Sequence, residues 1–220
     1  MKTSIKSLFI RFLMILALQF SGQASAIMIS DGDSFSVDWL VDSSLYPALT
    51  EDLSATSTWS VDFLSDTQIR LDVSITNTTI LTGGLTNADI TTLGFGVNPD
   101  ATASFDTQGN IFDMVGDGSG PQQTFPGGFK GIDVCVFAQG CSGGSVNDSL
   151  HAGDSDTFSL LLSGTFGSSA DLLFFPIKFQ TNQGSYEPGG DVTVPEPSIL
   201  ALLGMGLVII GFTRRRVIQT

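Results

Sequence analysis

Gln68-Ile69-Arg70-Leu71-Asp72-Val73-Ser74-Ile75-Thr76-Asn77 sets the fold class of this chain. Ile69, Leu71, Val73 and Ile75 alternate with Arg70, Asp72, Ser74 and Thr76, the period of two expected of a strand with one face buried. Just upstream, Trp59, Val61 and Phe63 alternate with Ser60, Asp62 and Leu64. Ser65 and Asp66 between the two runs are turn formers, so the pair reads as an antiparallel hairpin.

Further strands extend outward from that hairpin. Phe35, Val37 and Trp39 share one face of a first strand, followed by runs at Leu93, Phe95 and Val97 and at Ile132, Val134 and Val136. Phe158, Leu160 and Leu162 alternate with Thr157, Ser159 and Leu161, and Leu173 to Phe179 makes a strand interrupted by Pro176. Proline has no N–H to give a ladder, so that strand is expected at an edge or with a bulge. Glycine clusters at Gly83-Gly84, Gly116 to Gly120, Gly127-Gly128 and Gly143-Gly144 punctuate the runs. Outside the two ends of the chain, helix is expected only as short turns near Pro47 to Leu53 and Asn87 to Thr91. Many short strands with such loops, and no internal repeat, predict an all-β fold: a single jelly-roll-like β-sandwich domain.

The two ends have a different character. Lys2, Lys6 and Arg11 precede and enter an apolar stretch from Leu8 to Phe20, and Ala24-Ser25-Ala26 supplies the small residues that a signal peptidase reads. Residues 1–26 are therefore expected to be a signal peptide cut after Ala26, leaving residues 27–194 as the exported domain. Residues 195–220 open with Pro195-Glu196-Pro197, continue through the uncharged apolar run Ile199 to Phe212, and reach Arg214-Arg215-Arg216 near the end. Three arginines favour the cytoplasmic side, and the run is shorter than the roughly 20 residues a helix needs to cross a bilayer core. Hydropathy alone leaves two readings: a retained tail anchor, or a transmembrane helix meant to be removed.

Pro195-Glu196-Pro197, an apolar helix containing Gly204, Gly206 and Gly211, and the arginine cluster resemble, in that order, the PEP-CTERM sorting signal of Gram-negative bacteria. The resemblance implies export across the inner membrane, transient anchoring, and recognition of Pro195, Glu196 and Pro197 by an exosortase-type transpeptidase. It further implies removal of the helix with Arg214, Arg215 and Arg216, and delivery to the cell surface or extracellular matrix.

Without both ends the charge is more extreme. Only Arg70, Lys130 and Lys178 remain as cations against 21 of the 22 acidic residues, so residues 27–194 carry −18 where the whole chain carries −13. A surface of that sign repels phosphates, which excludes nucleic acid as a partner.

Cys135 and Cys141 are the only cysteines; an even count in an exported chain predicts a disulfide, and two thiols with one histidine make a poor zinc site. His151 is a weak candidate general base, with Ser149 or Cys141 as nucleophile, in a polar run that suits an exposed loop. Asp31-Gly32-Asp33, Asp113 with Asp117, and Asp154-Ser155-Asp156 are weak calcium candidates, Asp113 and Asp117 foremost; no other cofactor is expected. Trp39 and Trp59 sit at alternating strand positions that suit core filling more than sugar binding.

The run Phe129 to Gly144, with both cysteines, followed by Gly153 to Phe158 and Lys178 to Thr181, is similar to the two-cysteine "cistern" group of PEP-CTERM proteins, a resemblance that brings no catalytic residues. The expectation is a non-enzymatic surface or matrix protein with a structural or adhesive task, extracellular polysaccharide being a candidate partner. The alternatives are a calcium-dependent carbohydrate-binding module and, less favoured, a secreted hydrolase.

Overall fold

The computed structural model describes residues 26–117, 125–144 and 146–195. In chain order the strands are β1 (Ala26–Ile29), β2 (Ser34–Val41), β3 (Leu53–Ser65), β4 (Gln68–Asn77), β5 (Ala88–Asn98), β6 (Thr102–Thr107), β7 (Met114–Asp117), β8 (Val134–Phe137), β9 (Ser155–Ser163), β10 (Ala170–Leu173), β11 (Ile177–Thr181), β12 (Gly184–Tyr186) and β13 (Asp191–Thr193). Single 3-10 turns at Ser43–Leu45 and Val146–Asp148 are the only helical segments among the described residues.

The central hairpin forms as its pattern dictates. β3 and β4 pair antiparallel around Asp66-Thr67, with Trp59 opposite Val73 and Val61 opposite Leu71. A six-stranded sheet grows from it in the order β13-β2-β3-β4-β9-β6. Its inner face carries Phe35, Val37, Trp39, Val41, Trp59, Ile69, Leu71, Val73, Ile75, Phe158, Leu160 and Leu162, all buried. The opposing sheet has seven strands: β5 pairs with β10 and β11 along one edge and with β8 along the other, β1 and β12 flank the first edge, and β7 pairs with β8. The result is an all-β sandwich of two antiparallel sheets around one core.

One sequence expectation changes here, and the either-or expectation for the proline strand resolves to a bulge inside the sheet and not to an edge. Asn87 to Thr91 is not a helical turn, because β5 begins at Ala88. The inward residues Ile90, Leu93, Phe95 and Val97 are spaced three, two and two, and the register shift opposite Lys178 and Phe179 marks a bulge that absorbs the extra residue. β5 is buried on both faces, which erases the alternation that reveals a half-exposed strand.

The strand containing Pro176 lies inside its sheet, flanked by β5 on one side and by β1 and β12 on the other. It tolerates proline by breaking. Phe174 and Phe175 have φ of 73° and 46°, unusual for aromatic side chains, and separate β10 from β11. The Pro176 carbonyl accepts from Gly94 N (2.8 Å), so the ladder is re-used on the acceptor side. The break turns Phe175 into the core, where it packs edge-on against Phe35 and Trp59 (centroids 5.7 and 5.5 Å) and stacks on Phe95 at 6.1 Å. Such pairs add about 0.5–1.5 kcal/mol each beyond the area they bury.

Candidate functional site

The end of the domain that leads into the sorting segment is a sheet edge. β13 pairs with β2 through Asp191 to Asp38, Val192 to Val37 and Thr193 to Ser36, after which exposed Val194 and Pro195 leave the sheet. β13 runs antiparallel to β2, so the chain exits where β2 begins, at the end of the sandwich that holds the β3–β4 turn. The loops 42–52 and 78–87 lie at the other end, where β2 and β4 finish. Glu196, Pro197, Arg214, Arg215 and Arg216 lie outside the described residues, as does Ala24. Ala26 is the first residue of β1, opposite Leu173, so cleavage after Ala26 would leave Ile27 to Ile29 as the edge strand.

Cys135 and Cys141 form a disulfide, with Cα atoms 5.8 Å apart. Cys135 lies on β8 pointing away from the main core, and with Cys141, Phe125 and Ile132 it builds a second small core, packed by Phe129 and Phe137, on the outer face of the seven-stranded sheet. Gly94 and Gly96 on β5 make room for it: a Cβ at Gly94 would lie 2.7 Å from the Phe125 ring, and one at Gly96 would lie 2.3 Å from the Gly131 carbonyl oxygen. Lys178 Nζ fastens the lobe from below by donating to the Ser142 carbonyl at 2.8 Å.

The acidic clusters are largely committed to the backbone. Asp31 Oδ1 accepts from Phe63 N (2.9 Å) and Asp33 Oδ2 from Ser30 N (2.7 Å), closing the turn before β2. Asp156 is buried and accepts three backbone N–H groups, from Asn110 at 2.9 Å, Ile111 at 3.0 Å and Phe112 at 2.8 Å. It is a loop organiser. Asp113 is exposed and lines a hollow of about 520 Å³ with Asp148, Gln139 and Asn110. The Asp117 side chain lies outside the described residues. Among the described residues, no group of three or more His, Cys, Asp and Glu side chains is arranged to hold a metal ion.

The candidate catalytic residues are not brought together as a nucleophile and base. Cys141 is in the disulfide, and Ser149 Oγ donates to the Val146 carbonyl. His151 Nδ1 instead meets Asp89 Oδ1 at 2.6 Å, while Asn87 Nδ2 donates to Asp89 Oδ2 at 2.7 Å. Sequence reasoning missed Asp89; it lies 62 residues from His151, and their segments are brought side by side by the Ile90–Leu150 bridge and by the Asn77 amide, which donates to the carbonyls of both Ala88 and Leu150.

Two further hollows are lined by hydroxyls. One of about 450 Å³ crosses the outer face of the six-stranded sheet, where Ser34, Ser60, Asp72 and Ser159 stand in one cross-strand row and Thr58, Ser74 and Thr157 in the next. The Trp59 side chain turns inward there, donating from Nε1 to Ser57 Oγ at 2.7 Å, so Trp39 and Trp59 are core residues. The other, of about 400 Å³, lies at the loop end between Ser43, Glu51, Asp52, Ser54, Thr78, Ile80 and Thr82. Asp52 there accepts from both the hydroxyl (2.6 Å) and the N–H (2.8 Å) of Ser43. That hydroxyl first, and the backbone N–H second, hold the Asp52 carboxyl below its ordinary value of 3.8.

No curated protein and no solved structure matches the chain. Residues 193–216 match the family model of the PEP-CTERM protein-sorting motif, a span that starts at the last residue of β13 and reaches Arg216. The chain thus carries a PEP-CTERM sorting motif at residues 193–216, which implies an exported, surface-directed protein processed by exosortase.

Proposed function

We propose that this protein is a non-enzymatic structural or adhesive component of the extracellular polymer layer of a Gram-negative bacterium. In this reading the signal peptide is removed after Ala26, residues 199–212 hold the chain in the inner membrane for a time, and the tail is cut near Pro195-Glu196-Pro197. The observation that supports it is where the sorting motif begins. Every described strand of the sandwich precedes Val194, so loss of the tail takes nothing from either sheet and leaves a complete folded domain to be delivered. The resemblance of Phe129 to Gly144, Gly153 to Phe158 and Lys178 to Thr181 to the two-cysteine group is part of this reading, and the Cys135–Cys141 disulfide supports it.

Mass spectrometry of the protein from its native cell surface tests this. A mature chain that starts at Ile27 and ends in the Pro195 to Pro197 region is the expected product. An intact Arg214 to Thr220 tail on the surface protein would sink the sorting account.

A further inference from the structure

The two ends of the sandwich differ in chemistry. At the end remote from the sorting tail, the loops 42–52 and 78–87 and the turn after β11 meet. Asn182 Oδ1 accepts from Thr86 N (3.0 Å), its Nδ2 donates to the Gly84 carbonyl (3.0 Å), and Gln183 Oε1 accepts from Thr50 N (2.8 Å). These bonds hold the three segments in one surface. Four large apolar side chains stand on it in the open: Leu45 is 73% exposed, Tyr46 46%, Ile80 74% and Leu81 42%. Apolar side chains gathered on loops at one end of a sandwich, beside a concave site, mark a binding surface more than scattered exposure does.

The local chemistry says what fits. The chain's only two tyrosines come together here, Tyr46 against the edge of Tyr186 with centroids 5.3 Å apart, so the exposed ring is braced by β12. At the same end of the sandwich, the 400 Å³ hollow is lined by Ser43, Ser54, Thr78 and Thr82, by the acidic Glu51 and Asp52, and by Ile80. Among the described residues no lysine or arginine faces the site: Arg70 pairs with Asp62 and Asp72, Lys178 is spent on Ser142, and Lys130 adjoins Gly131, which packs at Gly96 of β5. An anionic ligand is excluded on charge. A pyranose offers what this surface can pair with, an apolar C–H face for an aromatic ring and many hydroxyls to bond its carboxylates and hydroxyls.

We infer that the loop end carrying Tyr46, Ile80, Glu51 and Asp52 binds a neutral polysaccharide chain, and that it is presented away from the sorting tail. The β13–β2 pairing brings Val194 and Pro195, which lead into the sorting motif, out at the opposite end. This inference rests on the polymer-layer reading for its setting, but its chemistry is independent of processing.

Native affinity electrophoresis of the full-length protein in mild detergent tests it, in gels containing hydroxyethylcellulose, galactomannan or xylan, with alginate as the anionic control. At least one neutral polymer should retard the protein and alginate should not. Tyr46→Ala and Ile80→Ser should each weaken the retardation about tenfold, Ile80→Ser with unchanged melting temperature and Tyr46→Ala with a fall of only a few degrees from the lost Tyr186 contact, as truncating a central contact does. Leu64→Ala, at the far end, should migrate like the parent. Retardation by none of the three polymers, equal retardation of all variants, or capture only by the basic probe polylysine would each overturn the inference. An uncut tail in the mass spectrum, by contrast, would remove the sorting account and leave this binding result standing.

Discussion

Trp39 Nε1 on β2 donates to the Phe175 carbonyl in the opposite sheet at 2.6 Å, a buried hydrogen bond between residues 136 apart in sequence. It crosses the core and ties the six-stranded sheet to the one place where the seven-stranded sheet is broken. The break leaves the Phe175 carbonyl without a strand partner, and a buried unpaired carbonyl costs about 1–3 kcal/mol. The indole supplies what the ladder cannot.

Trp39→Phe therefore removes a donor and leaves both a small void and an orphaned carbonyl. We expect a loss of about 2–4 kcal/mol in urea unfolding at neutral pH. A loss under about 0.5 kcal/mol, the low end for a net hydrogen bond, would mean that the bond contributes little.

Asp156 should behave as an organiser of the segment 110–112. Asp156→Ala frees three backbone N–H groups in a buried position, and we expect about 3 kcal/mol of destabilisation together with faster amide exchange at Asn110, Ile111 and Phe112. Unchanged exchange at those amides would contradict the role assigned.

The lobe around the disulfide is held separately from the main core, and Gly96 is its tightest point. Gly96→Ala sets a methyl 2.3 Å from a backbone carbonyl oxygen that no side-chain rotation can clear, and a loss of about 3 kcal/mol is expected in thermal unfolding. Replacing Cys135 and Cys141 together by serine should cost about 2–3 kcal/mol, the loop-closure value for a six-residue separation, with the loss of protection concentrated in residues 125–144.

Asp52 gives the loop end an acid sensitivity. Its folded-state pKa lies below the ordinary 3.8, so the Ser43 contact stabilises the fold fully above about pH 4 and is lost as the pH falls through the lowered value. Asp52→Asn should flatten that part of the acid unfolding curve while leaving the curve near pH 7 parallel to the parent. A variant as acid-sensitive as the parent in that range would refute it.

Alternation makes part of this molecule legible without coordinates. β2, β3, β4 and β9 each bury one face and wet the other, so Phe35, Trp59, Leu71 and Leu160 announce their side by period two. β5 hides its start because a bulge shifts its period and both of its faces are covered, one by the main core and one by the Phe125 lobe. Asp89 with His151 and Tyr46 with Tyr186 have no local signal at all, since nothing in a short window of sequence encodes which loops a sandwich will bring to the same end.

The strand-rich class, the β3–β4 hairpin with its turn to within one residue (Ser65-Asp66 against the observed Asp66-Thr67), the disulfide partners and the sorting motif are all written in the chain itself, because each depends on spacing over a few neighbouring residues. Folding in three dimensions was needed to place the proline strand inside its sheet and break it, to join the two layers through Phe175 and Trp39, and to bring Val194 and Pro195 out at the end opposite the tyrosine-bearing loops. Those outcomes depend on which strands pair across long separations, and backbone hydrogen bonding is blind to sequence distance until the chain has folded.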